Sequence, residues 1–320
     1  MPIAVTGSIA TDHLMTFAGR FSEQLLPDQL AHLSVSFLVD DLEIRRGGVA
    51  ANISFGMALL GLRPLLVGSV GDDFAEYRAW LDRHGVDTSA VLTSTTRHTA
   101  RFVCTTDAEH NQIASFYPGA MSEAREIDLT TLGDLDLVLI GANDPDAMLR
   151  HTRQCLENGI PFAADVSQQL AFLDGEAIRT LLDGAALLFG NRYEAALVEN
   201  KTGWSPAEML DRVAIRVTTH GAEGITVEQA GEETLRIGVV PAREVVEPTG
   251  VGDAFRSGFL TGRSWDLSLE RSAQLGALLA TSCVESVGPQ EYRFDAAEAS
   301  ERLTAAYGEA AAAEITSHLS

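Results

Sequence analysis

Glu247-Pro248-Thr249-Gly250-Val251-Gly252-Asp253-Ala254-Phe255 is the stretch from which the 320-residue chain is best read. Two glycines and a threonine lead into an acidic residue, and Ala254-Phe255-Arg256-Ser257-Gly258-Phe259-Leu260 continues as a helix. First-turn N–H groups have no intrahelical partner and the helix dipole adds positive potential, so such a turn suits a phosphate. Asp253 would repel that phosphate if binding were its sole task. Beside a bound phosphoryl group it makes sense as a base that takes a proton from an attacking hydroxyl. An N-capping aspartate after a flexible turn is the other reading, and this stretch alone leaves both open.

The rest of the chain limits the choices. Its length suits one large domain or a domain with an added lobe, and its 46% hydrophobic content predicts a compact globular protein with a substantial core. The 45 acidic residues against 23 basic, a formal charge of −22, argue against generic binding to nucleic acid or an anionic membrane. Phosphates must then be held by local devices: Mg²⁺, backbone N–H groups and single arginines. Cys104, Cys155 and Cys283 are widely spaced and odd in number, which predicts neither a disulfide framework nor a paired-cysteine metal site. The start Met1-Pro2-Ile3-Ala4-Val5-Thr6-Gly7 lacks a basic, then apolar, leader, so a cytoplasmic location is expected.

Outward from the motif, hydrophobic patterning predicts an α/β chain. Ile3-Ala4-Val5 reads as a buried strand opening into a loop with Ser8 and Asp12. Leu33 to Ile44 partly alternates, suggesting a strand or hairpin outside the main sheet that Arg45-Arg46-Gly47-Gly48 interrupts. Val49 to Leu60 is helix-like and ends at Gly61, which puts Asn52 one turn inside. Leu65–Val70 is a strand, and Gly71-Asp72-Asp73 caps a helix toward Gly85. Thr99–Thr106 and Gln112–Tyr117 flank a polar turn as a second hairpin carrying Phe102 and Phe116. From Leu137 strands and helices alternate: strands at Leu137–Ile140, Pro161–Asp165, Ala185–Phe189 and Ala214–Thr218, with helices at Asp146–Asn158, Gly175–Leu182 and Arg192–Glu199 between them. That order predicts a mostly parallel sheet with helices on both faces. Gly224–Val240 reads as hairpins, and helices follow at about Asp253–Gly262, Ser268–Ser286 and Asp295–Ala306.

Smaller constellations carry two readings each. In Asn191-Arg192-Tyr193-Glu194 the Asn and Glu share one helical face and could serve Mg²⁺, although the pattern is short. Thr219-His220-Gly221-Ala222-Glu223-Gly224 is a ligand turn or an ordinary tight turn. Gln168-Gln169 could bond a heteroaromatic base or be polar surface, and Phe102 and Phe116 could stack on a ligand or fill a core. No Walker P-loop, Rossmann fingerprint, zinc signature or G-x-S-x-G occurs. Phosphoryl transfer is the chemistry that uses an anion nest, a base and a magnesium site together.

In order and spacing, Gly47-Gly48 with Asn52, Gly68-Ser69-Val70-Gly71-Asp72, Asn191-x-x-Glu194, Thr219-x-Gly221-x-x-Gly224 and Pro248–Phe255 resemble the ribokinase-like (PfkB-type) family of carbohydrate and nucleoside kinases. Within it, Phe37–Leu42, Ile113–Arg125 and Ser167–Leu170 look most like adenosine kinases of the mycobacterial and actinobacterial type. The resemblance implies one ribokinase-like domain over residues 1–320 with a discontinuous β lid from about 13–46 and 97–118, a homodimer joined through the lid, and adenosine and ATP as ligands in purine salvage. It implies that Asp12 holds ribose hydroxyls with Gly48 and Asn52, and that Ser8, Ser36, Gln168 and Gln169 add contacts. Phe102 and Phe116 would flank adenine. Asn191, Thr219, Gly221, Gly224 and Gly252 would contact ATP, with Glu194 acting on Mg²⁺ through water. Gly250, Val251 and Gly252 would form the anion hole and Asp253 would deprotonate the 5′-hydroxyl. Many relatives have Asp where this chain has Glu247, at a position that in several helps bind a monovalent cation; glutamate keeps the charge but adds a methylene, so K⁺ is a possible but doubtful activator. A ribose or fructose kinase of the same fold, and a nucleoside-binding protein without catalysis, are the alternatives.

Overall fold

The computed structural model describes residues 2–25 and 34–319. In chain order its strands are β1 (Ile3–Thr6), β2 (Ala10–Thr16), β3 (Asp41–Gly47), β4 (Leu65–Val70), β5 (Val91–Thr93), β6 (Ala100–Thr106), β7 (Gln112–Tyr117), β8 (Leu137–Ile140), β9 (Phe162–Ala164), β10 (Leu187–Asn191), β11 (Arg216–Thr219), β12 (Ile225–Glu228) and β13 (Leu235–Ile237). The helices are α1 (Phe21–Gln24), α2 (Val49–Leu59), α3 (Ala75–Arg83), α4 (Pro145–Asn158), α5 (Gly175–Leu182), α6 (Arg192–Thr202), α7 (Pro206–Leu210), α8 (Val251–Ser264), α9 (Leu269–Val284), α10 (Ala296–Tyr307) and α11 (Glu309–Thr316).

Nine strands form one sheet in the order β13-β12-β11-β10-β9-β8-β1-β4-β5. It is parallel from β11 to β5, and β12 and β13 add antiparallel to its edge. The period-two alternation of its strands builds two cores. Ile3 and Val5 of β1 and Leu137 and Leu139 of β8 join the core under α2, α3 and α8–α11. Ala4, Val138 and Ile140 face the other way, into the core under α4–α7. Both faces are therefore covered, as a parallel sheet requires. The fold is ribokinase-like: this large sheet with its helices, and a small separate sheet of four strands in the order β3-β2-β6-β7.

The small sheet departs from the sequence reading in two places. β2 runs through Asp12, where a loop is expected, because Ala10–Thr16 finds partners on both sides, β3 antiparallel and β6 parallel. Arg45 and Arg46 do not interrupt β3 but lie inside it. Their charges are compensated laterally, Arg45 by Glu43 and Arg46 by Glu291, and Arg46 also stacks over Trp80 at 4.1 Å. Leu33 lies outside the described residues, and residues 34–39 carry no strand. The reading also misses α7, although Ser205 and Glu208 form a capping box around Pro206. The three cysteines are buried and unpaired. Among the described residues no helix is long and apolar enough to cross a membrane.

α8 is tied to the sheet through Phe259, which is fully buried and meets Phe189 of β10 edge-on at 5.4 Å between centroids. Phe259→Ala is expected to cost about 3–5 kcal/mol of unfolding free energy, read as a lower urea midpoint at unchanged slope. A loss below about 1 kcal/mol would contradict that packing.

Candidate active site

Gly250 caps α8 in the left-handed region, with φ of 79°. A Cβ there would lie 2.4 Å from the Pro289 side chain, so strain and contact both demand glycine. The first good backbone bond of the helix is Ala254 N–H to Gly250 C=O at 2.9 Å, and Val251 N–H makes only a long one to Pro248, at 3.4 Å. Among the described residues, the N–H groups of Gly252 and Asp253 have no protein acceptor. An anion at this turn meets open donors and the positive end of a helix 14 residues long.

Asp253 does not cap the helix; that position is Gly250. Its carboxylate accepts from Asn52 Nδ2 at 2.9 Å. Burial raises its pKa, opposed by the Arg256 guanidinium and the Asn52 bond, while Glu194 pushes it up further. A partly buried carboxylate with a raised pKa and one fixed hydrogen bond is a competent proton acceptor.

Asn52 is held in turn. Its Oδ1 accepts from Gln290 Nε2 at 2.9 Å, Gln290 also donates to the Tyr77 hydroxyl, and Tyr77 donates to the Gly47 carbonyl at 2.9 Å. A polar chain thus runs from Gly47 to Asp253 along α2 and α8. At its Gly47 end lies Asp12: a Cβ on Gly47 would come within 3.1 Å of Asp12 Oδ2. Gly48, at φ 95°, leaves no room for a side chain against the Ser8 carbonyl, 2.5 Å from a Cβ. Ser8 is buried and its Oγ accepts from Val49 N–H at 3.0 Å, so it seats the start of α2. Burial pushes Asp12 up to about 6, against the pull of Arg45 and with the repulsion of Glu247.

Cross-strand register sets Asp12 and three further side chains in one row. Arg45 of β3 pairs with Asp12 of β2, Asp12 with Phe102 of β6, and Phe102 with Phe116 of β7. Directly opposed residues share a face, so the row presents a cation, a carboxylate and two rings on one side of the small sheet. Arg45 Nη1 reaches Glu247 Oε2 at 2.6 Å, which aims this face at the loop leading into α8. Phe116 remains 51% exposed, leaving aromatic surface for a ligand. Ser36 is exposed. Gln169 Nε2 donates to the Asn143 carbonyl at 2.8 Å and Gln168 Oε1 accepts from Ser167 Oγ at 2.8 Å, so neither amide is wholly free.

At the other end of the cleft, β10 and β11 finish side by side, Asn191 opposite Thr219. Asn191 and Glu194 form a capping box on α6: Asn191 Oδ1 accepts from Glu194 N–H at 2.9 Å and Glu194 Oε2 accepts from Asn191 N–H at 2.8 Å. The N-x-x-E spacing is therefore explained by helix capping alone. Gly221 and Gly224 turn the chain at φ 59° and 97°. Glu194 keeps its second oxygen, and its charge reaches both Asp165 and Asp253. That donor fits a Mg²⁺ that retains most of its waters. Glu247 Oε2 is taken up by Arg45 and also accepts from Gly288 N–H at 3.2 Å, which leaves Oε1 of this carboxylate without a protein partner among the described residues.

Sequence reasoning missed Tyr77 and Gln290, which have no motif, and the pair Asp165–Arg256. Arg256 Nη2 meets Asp165 Oδ1 at 2.6 Å with Asp165 fully buried. Burial pushes Asp165 up to about 7, with Arg256 holding it down. The spacing Asp253-x-x-Arg256 was the available signal, one helical face with a charge on a predicted buried helix.

An open anion turn, an acid beside it and a polar cleft at the carboxyl ends of parallel strands define a phosphotransferase. Residues 7–295 match the pfkB family of carbohydrate kinases. The chain is 28% identical over 286 residues to a nucleoside kinase of Methanothermobacter thermautotrophicus, covering 88% of this chain and 92% of that one. A Burkholderia thailandensis nucleoside kinase in complex with inosine superposes with a TM-score of 0.85 at 33% identity, over 96% of this chain and 99% of that one. Likeness to the adenosine kinase of Saccharomyces cerevisiae is more limited, 27% over 159 residues, 45% of this chain and 47% of that one. The chain belongs to the pfkB family and is an ATP-dependent nucleoside or sugar kinase.

Because the folded protein raises the pKa of Asp12 to about 6, protonation favours the fold: stability is full below the unfolded carboxyl pKa and falls as pH rises through about 6. Asp12→Asn removes that charge. In ligand-free protein it is expected to raise the thermal midpoint more at pH 8 than at pH 5; an equal shift at both would show that Asp12 is not desolvated.

Proposed function

We propose that this chain is an adenosine kinase acting in purine salvage, ATP + adenosine → ADP + AMP, with the phosphoryl group entering at the ribose 5′-hydroxyl. The observation that carries the reading is the Asn52–Asp253 hydrogen bond at 2.9 Å. It joins the base at the anion turn to the helix whose glycine start abuts Asp12, so acceptor site and base share one rigid support. A sugar bonded to Asp12 sits beside Gly47-Gly48, and the Phe102–Phe116 pair offers a purine two aromatic surfaces in the same row. This pair favours a nucleoside over a free sugar, which has nothing to stack. The complex of the Burkholderia relative with inosine favours extending the reading to that purine nucleoside too.

In the step itself Asp253 accepts the 5′-hydroxyl proton as O5′ attacks the γ-phosphorus. The O5′–P bond forms, the bond from phosphorus to the β,γ-bridging oxygen breaks, and its electron pair leaves on ADP. The Gly250-Val251-Gly252 turn directs N–H groups at the charge on the transferring group. Mg²⁺, held with its waters near Glu194, would supply charge neutralisation on the phosphates. The small sheet serves as a lid. Exposed Leu42, Ile44 and Ile113 on its strands support pairing with a second copy; Ile44→Lys is expected to shift a dimer to monomer in sedimentation, and a wild-type monomer would refute the pairing.

ADP release measured with adenosine, inosine, ribose and fructose, in K⁺ and in Na⁺, tests the substrate. Purine nucleosides should dominate, and the two salts should give equal rates; a preference for ribose or fructose would overturn the nucleoside reading. Asp253→Asn should keep adenosine affinity and lose about 100- to 10,000-fold in kcat. With the pKa of Asp253 raised, wild-type kcat/KM should fall on acidification in a limb lying above the ordinary carboxylate range. Near-normal turnover by the Asn variant would refute the mechanism.

A further inference from the structure

Arg256 lies four residues beyond Gly252 on α8, so the two are stacked on one face of the helix. Its side chain runs back toward the N-terminus, as long helical side chains do. A Cβ built on Gly252 would lie 2.7 Å from Arg256 Nη1, so the guanidinium lies against the same turn whose N–H groups are open. Nη2 is committed to Asp165 Oδ1 at 2.6 Å. Among the described residues, Arg256 Nε and Asp165 Oδ2 are buried without any hydrogen-bond partner. An ion pair taken out of water is stabilising only when its remaining groups are hydrogen-bonded too, and no protein group serves these two. Nη1 accepts no such explanation either: it is the arm left facing the turn.

The surrounding charge sharpens the point. Asp253, Asp165 and Glu194 all act on Arg256, so three carboxylates gather where a triphosphate must enter. Backbone dipoles alone would have to overcome that repulsion. Arg256 is the cation that most strongly offsets Asp253.

We propose that Arg256 is a catalytic residue of the anion hole, its Nη1 donating to an oxygen of the transferring γ-phosphoryl group, and that Asp165 is the positioning residue that fixes the guanidinium plane against Gly252. The inference rests on the kinase reading above and adds a side-chain cation to a turn otherwise made of backbone. Arg256 exchanges no proton. It supplies hydrogen bonds while the proton of the acceptor hydroxyl goes to Asp253 and the electron pair of the broken bond leaves with ADP. Glycine at 252 then has a second reason, because a side chain there would fill the space of the guanidinium.

The competing role is glue between α8 and the end of β9. The double variant Asp165→Asn/Arg256→Gln separates the two, since it removes both charges together and leaves amides able to bond each other. It is expected to unfold within a few degrees of wild type, to bind adenosine and ADP within about threefold, and to lose about 100- to 1,000-fold in kcat, the loss typical of one missing oxyanion donor. Arg256→Lys should recover part of that loss. In Asp165→Asn/Arg256→Ala, millimolar guanidinium chloride, far below denaturing levels, should restore turnover in a saturable way, a response that a purely structural defect would not give. A folded Asn/Gln variant with wild-type kcat, or an Asn/Ala variant that guanidinium does not rescue, overturns the proposal. Wild-type enzyme is assayed alongside with adenosine and with ribose. Failure on adenosine alone counts against the nucleoside reading, and Arg256 is then tested on the acceptor that works.

Discussion

Two helices on one face of a parallel sheet must lie close enough for an amide on one to reach a carboxylate on the other. Everything at the cleft depends on that constraint. α2 starts from Gly47-Gly48 and α8 from Gly250, both at turns that exclude side chains by contact with neighbouring backbone or with Pro289. With the starts pinned, Asn52 meets Asp253, and Gln290 and Tyr77 close the gap back to Gly47. Asn52, Tyr77 and Gln290 of this chain are buried, so a member left without a partner would carry a desolvation cost. Such a network rigidifies the base without engaging its second oxygen.

The sheet and its covering helices are legible because both periodicities are strong. A short apolar run such as Leu137–Ile140, set among helical patterns, reads as a strand buried on two faces, and the helices carry caps such as Asp144, Asp174 and Ser268. The small sheet is less legible for a physical reason. One side of it faces the ligand cleft, so its inward positions hold Asp12 and Arg45 where a core strand would hold valine. Alternation then reads as loop at β2 and as a charged break at β3. Function degrades the pattern in the place where it resides.

Asn191-x-x-Glu194 teaches a different lesson. The spacing suits Mg²⁺, and the geometry accounts for it as a capping box in which one carboxylate oxygen and the amide oxygen serve the helix start. The two uses are compatible, since capping engages only Oε2 of Glu194. Arg256 and Asp165 lie at the opposite extreme. Only the spacing Asp253-x-x-Arg256 hints at them, because a buried arginine in a predicted helix looks like any surface arginine until its partner is known. Only tertiary structure brings β9 and α8 together.

Glu247 stands where the resemblance described above implies aspartate, and its geometry gives it a contact of its own. Aspartate would stop one methylene short of β3. Glutamate reaches Arg45, and the same oxygen accepts from Gly288 N–H, so a fixed guanidinium balances its charge. Arg45 is also the end of the row that carries Asp12, Phe102 and Phe116. The small sheet is thereby tethered to the loop that leads into the anion turn, by a pair whose side chains are 17% and 22% exposed and so only partly screened by water. A movement of the small sheet against the large one must stretch this contact, and with it the backbone of Pro248 and Gly250. The face that recognises the acceptor and the turn that receives the phosphate are in this way mechanically one unit.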